Sequence, residues 1–235
     1  MPDSTIEHST AKRRTIDALT RALHALMALS FAMAYITAEA EGLRMVHVTM
    51  GYTLGAVFLI RVLWGLLGPR RVSLRALGGR LASLDQSLAM VKSFDWQELL
   101  KLVLAVSMLT LLLCSMPVVA SGYVTYLNWL GKWTKEIHET LGNFMLLAVA
   151  CHVGVVVLLS LGKTDRQVRP MITGCVAGKG PDLVKHNLVA VAVALLLLVV
   201  SFWSWQTYQY IRDPQLTQQA RWLHPAGGYD EGNED

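Results

Sequence analysis

The stretch that decides the fold is "IHETLGNFMLLAVACHVGVVVLLS", residues 137–160. It is long and apolar enough for a transmembrane helix, which needs about 20 mostly uncharged residues. It nevertheless carries two histidines, His138 and His152. An ionisable side chain inside a membrane span is costly and usually has a function. The spacing of these two imidazoles is therefore the first clue to what the chain does.

The rest of the chain has the same apolar character. Of its 235 residues, 53% are hydrophobic and 16% are charged, and the mean hydropathy is +0.40. This composition is typical of an integral membrane protein. We predict an all-α integral membrane fold with five spans, at 17–38, 47–67, 99–121, 138–161 and 187–210. The first segment resembles a signal peptide, but it is longer and contains His24, so we expect it to be retained.

Lysine and arginine are distributed unevenly among the connections. They concentrate in the N-terminal tail and in the connections after the second and fourth spans. Cytoplasmic connections carry this excess, so we expect a cytoplasmic N-terminus and an extracytoplasmic C-terminus. The net charge of +4 then reflects topology, and it does not indicate nucleic-acid binding.

Four histidines fall within the predicted spans, at two depths. His47 and His138 open their helices at the outer face, whereas His24 lies on the inner half of the first span. His152 follows His138 by 14 residues, which is about 21 Å of helix at 1.5 Å per residue. Fourteen residues also turn through nearly four full turns, so both imidazoles share a face. The pattern predicts an outer pair, His47 with His138, and an inner pair, His24 with His152.

Two such pairs favour two haems b, because a six-coordinate haem takes one imidazole on each side of the ring. Gly51 and Gly142 each lie one turn after an outer histidine, where a missing side chain leaves room for a flat porphyrin. Gly51 and Gly55 could instead form a helix-packing face. A histidine proton path or simple packing also remains open. Zinc is disfavoured because no cysteine or carboxylate cluster completes a tetrahedral set.

The three cysteines predict neither a disulfide nor a c-type haem. They lie in or beside the membrane or in an inside connection, and no C-x-x-C-H stretch occurs. The outer connection "GYVTYLNWLGKWTKE", residues 122–136, has aromatics at helical spacing. It predicts a short interfacial helix, or alternatively the roof of a quinone site.

Several stretches resemble bacterial membrane b-type cytochromes, the group of cytochrome b561 and the b-type cytochrome subunits of nickel-iron hydrogenases. They are "HVTMGYTLGAVFLIRVLWGLLGPR" (47–70), "EIHETLGNFMLLAVACHVGVVVLLSL" (136–161) and "VRPMITG" (168–174). The resemblance implies a four-helix haem-binding bundle that carries electrons across the membrane. Its bis-histidine ligands would be His24, His47, His138 and His152.

This resemblance implies a multi-pass protein of the bacterial inner membrane, acting between quinone and an extracytoplasmic redox partner such as a c-type cytochrome or a dehydrogenase. Haem propionates need cations, and Arg61 and Arg21 are the candidates at the inner level. Two other hypotheses remain open: a stand-alone quinone-linked oxidoreductase acting on a small molecule such as superoxide, and a proton-coupled transporter without haem.

The predicted organisation has four parts. Residues 1–16 form a cytoplasmic tail, 17–175 the di-haem four-helix domain, 176–210 a connection and the fifth span, and 211–235 an acidic extracytoplasmic tail.

Overall fold

The computed structural model describes residues 12–67, 96–161 and 169–212, apart from positions 130, 179 and 185. The elements in chain order are β1 (Lys12–Arg14), α1 (Ala18–Ile36), a 3-10 turn (Glu41–Leu43), α2 (Arg44–Leu67), α3 (Trp96–Tyr126), α4 (Trp133–Leu161), α5 (Arg169–Thr173), β2 (Cys175–Ala177) and α6 (Val189–Arg212). Residues 1–11 of the predicted N-terminal tail, residues 213–235 of the predicted C-terminal tail and the connection at 68–95 lie outside the described residues.

Five of these helices, α1, α2, α3, α4 and α6, are long and apolar enough to cross a membrane. The chain is therefore an all-α, multi-pass membrane protein, as its composition predicts. Its three cysteines are free.

The outer connection between α3 and α4 is shorter than the sequence suggests. Helix α3 continues to Tyr126 and α4 already begins at Trp133, so the predicted separate interfacial helix is wrong. Asn128 and Gly131 adopt positive φ angles of 53° and 83°, and such left-handed residues end helices. The aromatics at helical spacing thus belong mainly to the ends of two long helices.

The spans pack as two hairpins, α1 with α2 and α3 with α4, and α2 joins them by packing against α3. At the outer end, the Tyr35 hydroxyl donates to Asn143 Oδ1 at 2.9 Å and so ties α1 to α4. Helix α6 lies against α1 and α2, and Trp203 Nε1 donates to Thr53 Oγ1 at 2.9 Å. The hairpin pair is therefore the frame on which any site between helices is built.

A buried layer fills the middle of this four-helix frame. It takes one side chain from each of α1 to α4: Phe31, Leu54, Val118 and Met145. On α1, α2 and α4, the layer residue lies seven positions, about two helical turns, after that helix's first histidine. The layer consequently separates the predicted outer and inner histidine pairs.

A small two-stranded sheet closes one end of the bundle. Strand β1 pairs antiparallel with β2, with Arg13 opposite Val176, and Asp182 Oδ1 accepts from the Arg14 amide at 2.7 Å. The segment leading into α1 and the segment after α4 therefore lie at the same end. This arrangement agrees with the predicted topology, which places both on one side of the membrane.

Candidate functional site

The structure brings together the predicted outer pair of histidines. The ring centres of His47, on α2, and His138, on α4, are 5.9 Å apart, and their planes are 88° apart. An imidazole nitrogen binds a metal ion at about 2 Å, so two imidazoles in line on one metal have ring centres about 6 Å apart. The separation of the outer pair therefore fits two axial ligands of one iron.

Hydrogen bonds fix which nitrogen each outer imidazole presents. His47 Nδ1 lies 2.8 Å from the carbonyl oxygen of Ala34, and His138 Nδ1 lies 3.1 Å from that of Val118. A carbonyl only accepts, so both Nδ1 atoms carry the proton and both Nε2 atoms keep a lone pair. Metal-binding histidines characteristically donate their other ring N–H in this way.

Ala34 is available to His47 for a local reason. It lies in the last turn of α1, where carbonyl oxygens have no amide four residues further on to accept from. The Ala38 amide donates instead to Tyr35, at 3.2 Å. The imidazole of His47 therefore donates to a helix-terminal carbonyl that receives no backbone amide at the i+4 position and that also accepts from the Thr37 hydroxyl, at 3.3 Å.

The inner pair, His24 with His152, lies in more exposed surroundings than the outer pair. His152 Nδ1 lies 3.3 Å from Ser107 Oγ, and His152 is half-buried. His24 is exposed and lies near enough to His152 and to Arg61 to interact with them electrostatically. The structure thus places the inner imidazoles near each other.

The glycines separate into two roles. A Cβ added at Gly51 or Gly142 would meet no atom within 4 Å, whereas one added at Gly55 would lie 2.8 Å from Val119 Cγ1. Gly51 and Gly142 therefore leave open space one turn from the outer histidines, as a porphyrin slot would require. Gly55 is instead a packing position between α2 and α3, in agreement with the alternative of a helix-packing face at that residue.

Helix α3 contributes residues that the histidine pattern does not predict. Ser121 Oγ lies 3.1 Å from His138 Nδ1, and a Cβ at Gly122 would lie 2.8 Å from His138 Cε1. Together with Ser107, these small residues let α4 present both imidazoles against α3. The signal available in the sequence is that the two serines, like the two histidines they face, are 14 residues apart.

The two predicted propionate cations lie in different surroundings. Arg61 is half-buried and lies near enough to His24 and to the buried Asp17 to interact with both. Arg21 Nη1 donates to the carbonyl of Ile172 at 2.8 Å, so it holds α1 to α5. Arg61 is thus beside the inner pair, whereas the contact of Arg21 favours a structural role.

An aromatic group lies at the outer end of the bundle. The Tyr52 and Tyr123 rings are 6.4 Å apart, and the Tyr123 and Trp129 rings are 6.2 Å apart. All three side chains are exposed, and Tyr123 follows Gly122, which contacts His138. The cluster therefore connects the surroundings of the outer pair to the exterior of the protein.

The donor set suits haem better than a protein-ligated metal ion. Within the described residues there is no group of three or more His, Cys, Asp or Glu side chains that could hold an ion. Two imidazoles with ring centres 5.9 Å apart beside open space instead fit a porphyrin-bound iron, because the macrocycle supplies the other ligands.

A family model described as prokaryotic cytochrome b561 matches residues 15–174. This range contains the four histidines of the two predicted pairs and ends at Gly174, directly before β2. The search of curated proteins and the search of solved structures gave no match.

Proposed function

Because the chain belongs to the prokaryotic cytochrome b561 family, and is thus a membrane b-type cytochrome of electron transfer, we propose that it is a di-haem relay. It passes electrons across the membrane between the quinone pool and an extracytoplasmic redox protein. The observation that carries this proposal is shared by His47, His138 and His152. In each imidazole, Nδ1 lies within hydrogen-bond distance of an oxygen atom, and Nε2 remains available to bind a metal ion.

Each ligand pair comes from both hairpins. His47 and His24 lie on the first hairpin, and His138 and His152 lie on the second. A haem b held by two imidazoles supplies one-electron transfer and has no open site for oxygen or substrate. The work of the chain is to clamp each porphyrin between the hairpins and to exclude water from it.

The outer and inner histidine pairs form two tiers, whose depths suit electron transfer across the bilayer. The histidines of α4 are 14 residues apart, so the tiers are about 21 Å apart along the helix. Two haems at these depths would divide the hydrocarbon layer of about 30 Å into short steps. The buried layer around Met145 lies between them and keeps this path dry.

The quinone link is supported by the aromatic cluster. Tyr52, Tyr123 and Trp129 are exposed beside the outer pair, at a depth where flat lipid-soluble rings can stack on aromatic side chains. An outer quinone site would let quinol exchange electrons with the outer haem. The extracytoplasmic partner would then act at the same face.

Vesicle-reconstituted protein tests the relay. With ferricyanide trapped inside and ascorbate added outside, we expect reduction of the trapped acceptor only when both tiers are intact. The His152→Ala variant keeps the outer pair and should stop transfer while its remaining haem is still reduced. Transfer by that variant at the rate of the unaltered chain would contradict the proposal. Turnover of superoxide by the isolated chain would instead favour a stand-alone enzyme.

A further inference from the structure

Helix α3 has no histidine, yet two of its serines face the two histidines of α4. Ser121 Oγ is 3.1 Å from His138 Nδ1, and Ser107 Oγ is 3.3 Å from His152 Nδ1. Helices α3 and α4 run antiparallel, so a separation of 14 residues on each helix puts both contacts in one register. The same hydrogen bond is therefore built twice, once at each predicted tier.

The direction of these hydrogen bonds follows from the serines' other contacts. Ser107 Oγ donates to the Leu104 carbonyl at 2.9 Å, and Ser121 Oγ donates to the Val118 carbonyl at 3.0 Å. A hydroxyl has one hydrogen and two lone pairs. Since that hydrogen is used within α3, each serine oxygen accepts from Nδ1–H, and Nε2 is left with its lone pair.

We propose that Ser107 and Ser121 are positioning residues that orient the axial imidazoles and tune the haem potentials. The proposal rests on the proposed function only in taking His138 and His152 as haem ligands. An acceptor on Nδ1–H makes the imidazole a more basic ligand, which favours ferric over ferrous iron. Each serine thus lowers the potential of its haem.

Removal of the two serine hydroxyls should affect the two haems to different extents. His138 Nδ1 also lies 3.1 Å from the Val118 carbonyl, so it keeps an acceptor when the Ser121 hydroxyl is removed. For His152 Nδ1, Ser107 is the acceptor that the described part of the structure provides. Loss of the Ser107 hydroxyl should therefore affect its haem more than loss of the Ser121 hydroxyl.

The chain supplies a matched control. Ser115 is also a buried serine of α3, and its hydroxyl donates to the Leu111 carbonyl at 2.7 Å. A Ser115→Ala change removes the same atom from the same helix without removing an imidazole contact. Ser107→Thr keeps the hydroxyl and serves as the conservative rescue.

The experiment is an optical redox titration of purified protein, with haem loss to excess apomyoglobin measured in parallel. The step that His152→Ala removes identifies the inner haem. We expect Ser107→Ala to raise the potential of that step and to speed haem loss by about 10- to 100-fold. Ser121→Ala should shift the other step by less, and Ser115→Ala and Ser107→Thr should titrate like the unaltered chain.

Two results would overturn the inference while leaving the proposed function standing. In one, Ser107→Ala binds two haems and titrates like the unaltered chain. In the other, Ser107→Ala and Ser115→Ala shift the titration equally, which would mean that the hydroxyls act only through packing. An unaltered chain without haem would instead overturn both proposals.

Discussion

At the scale of single residues, His47, His138 and His152 are tolerated in the membrane because each Nδ1 atom has a hydrogen-bond partner. A buried polar group without a partner costs about 1–3 kcal/mol, and hydrocarbon offers no water to compensate. Nδ1 of His47, His138 and His152 each has an acceptor. An iron atom bound to Nε2 would give the second nitrogen of each ring a partner as well.

The open space at Gly142 gives a prediction for a single residue. Gly142→Leu should eliminate about one of the two haems, because its side chain would enter the open space one turn from His138. The helix itself should not be weakened, since leucine is a better helix former than glycine by about 1 kcal/mol. Haem per chain, measured on purified protein, checks this.

The control for that change lies on the same helix. A Cβ at Gly154 also meets nothing within 4 Å, and Gly154 is exposed. It lies about 120° around the helix from Gly142, so Gly154→Leu should retain both haems. Equal haem loss in the two variants would mean that the open space at Gly142 is not a porphyrin slot.

The histidine pairs could be predicted from the sequence, whereas the matching 14-residue spacing of Ser107 and Ser121 becomes informative only once α3 is known to pack against α4. Spacing alone places His138 and His152 on one face, because helical periodicity is fixed. A serine within a helix usually bonds its own backbone, as Ser115 does. Only the packed register of α3 and α4 distinguishes Ser107 and Ser121 from it.

At the scale of elements, α6 stands apart from the helices that carry the predicted ligands. It packs against α1 and α2 and contributes no predicted ligand. Its polar attachment is the hydrogen bond from Trp203 Nε1 to Thr53, a residue 3% exposed. Docking of α6 therefore supports the bundle from outside.

Trp203→Phe tests this arrangement. Removing the indole N–H leaves the Thr53 hydroxyl with one partner fewer and should cost about 1 kcal/mol of stability, without loss of haem. Thermal unfolding in detergent, followed by circular dichroism, measures the effect. Trp205→Phe, which changes an exposed tryptophan of the same helix, should unfold like the unaltered chain. Haem loss in Trp203→Phe would show that α6 is part of the site.

Element boundaries were predicted best where a long apolar run sets them. The spans follow from hydrophobicity, and α2 and α4 end where the sequence predicts. The outer connection was misread because Tyr123 and Tyr126 have helical spacing whether they end α3 or begin another helix. The sheet of β1 and β2 was missed because three-residue strands are too short to show an alternating pattern.

At the scale of the whole molecule, the sheet of β1 and β2 and the charge distribution point to one topology. Pairing of β1 with β2 places the start of α1 and the connection after α4 at the same end, and both segments are rich in lysine and arginine. With the five candidate spans that the described residues form, we expect the two termini on opposite sides of the membrane. We expect the N-terminus in the cytoplasm.

Reporter fusions test this topology. Alkaline phosphatase, which is active only outside the cytoplasm, should be active when fused after residue 212 and inactive when fused after residue 177. Green fluorescent protein at the same two positions should give the opposite result. Phosphatase activity at residue 177 would reverse the orientation and with it the assignment of the outer and inner pairs.

The most direct test of the central claim is the haem content of the purified chain, measured as the pyridine haemochrome. We predict about two haem b per chain, and about one in each of the variants His24→Ala, His47→Ala, His138→Ala and His152→Ala. A chain without haem, or a His152→Ala variant with undiminished haem, would contradict the account.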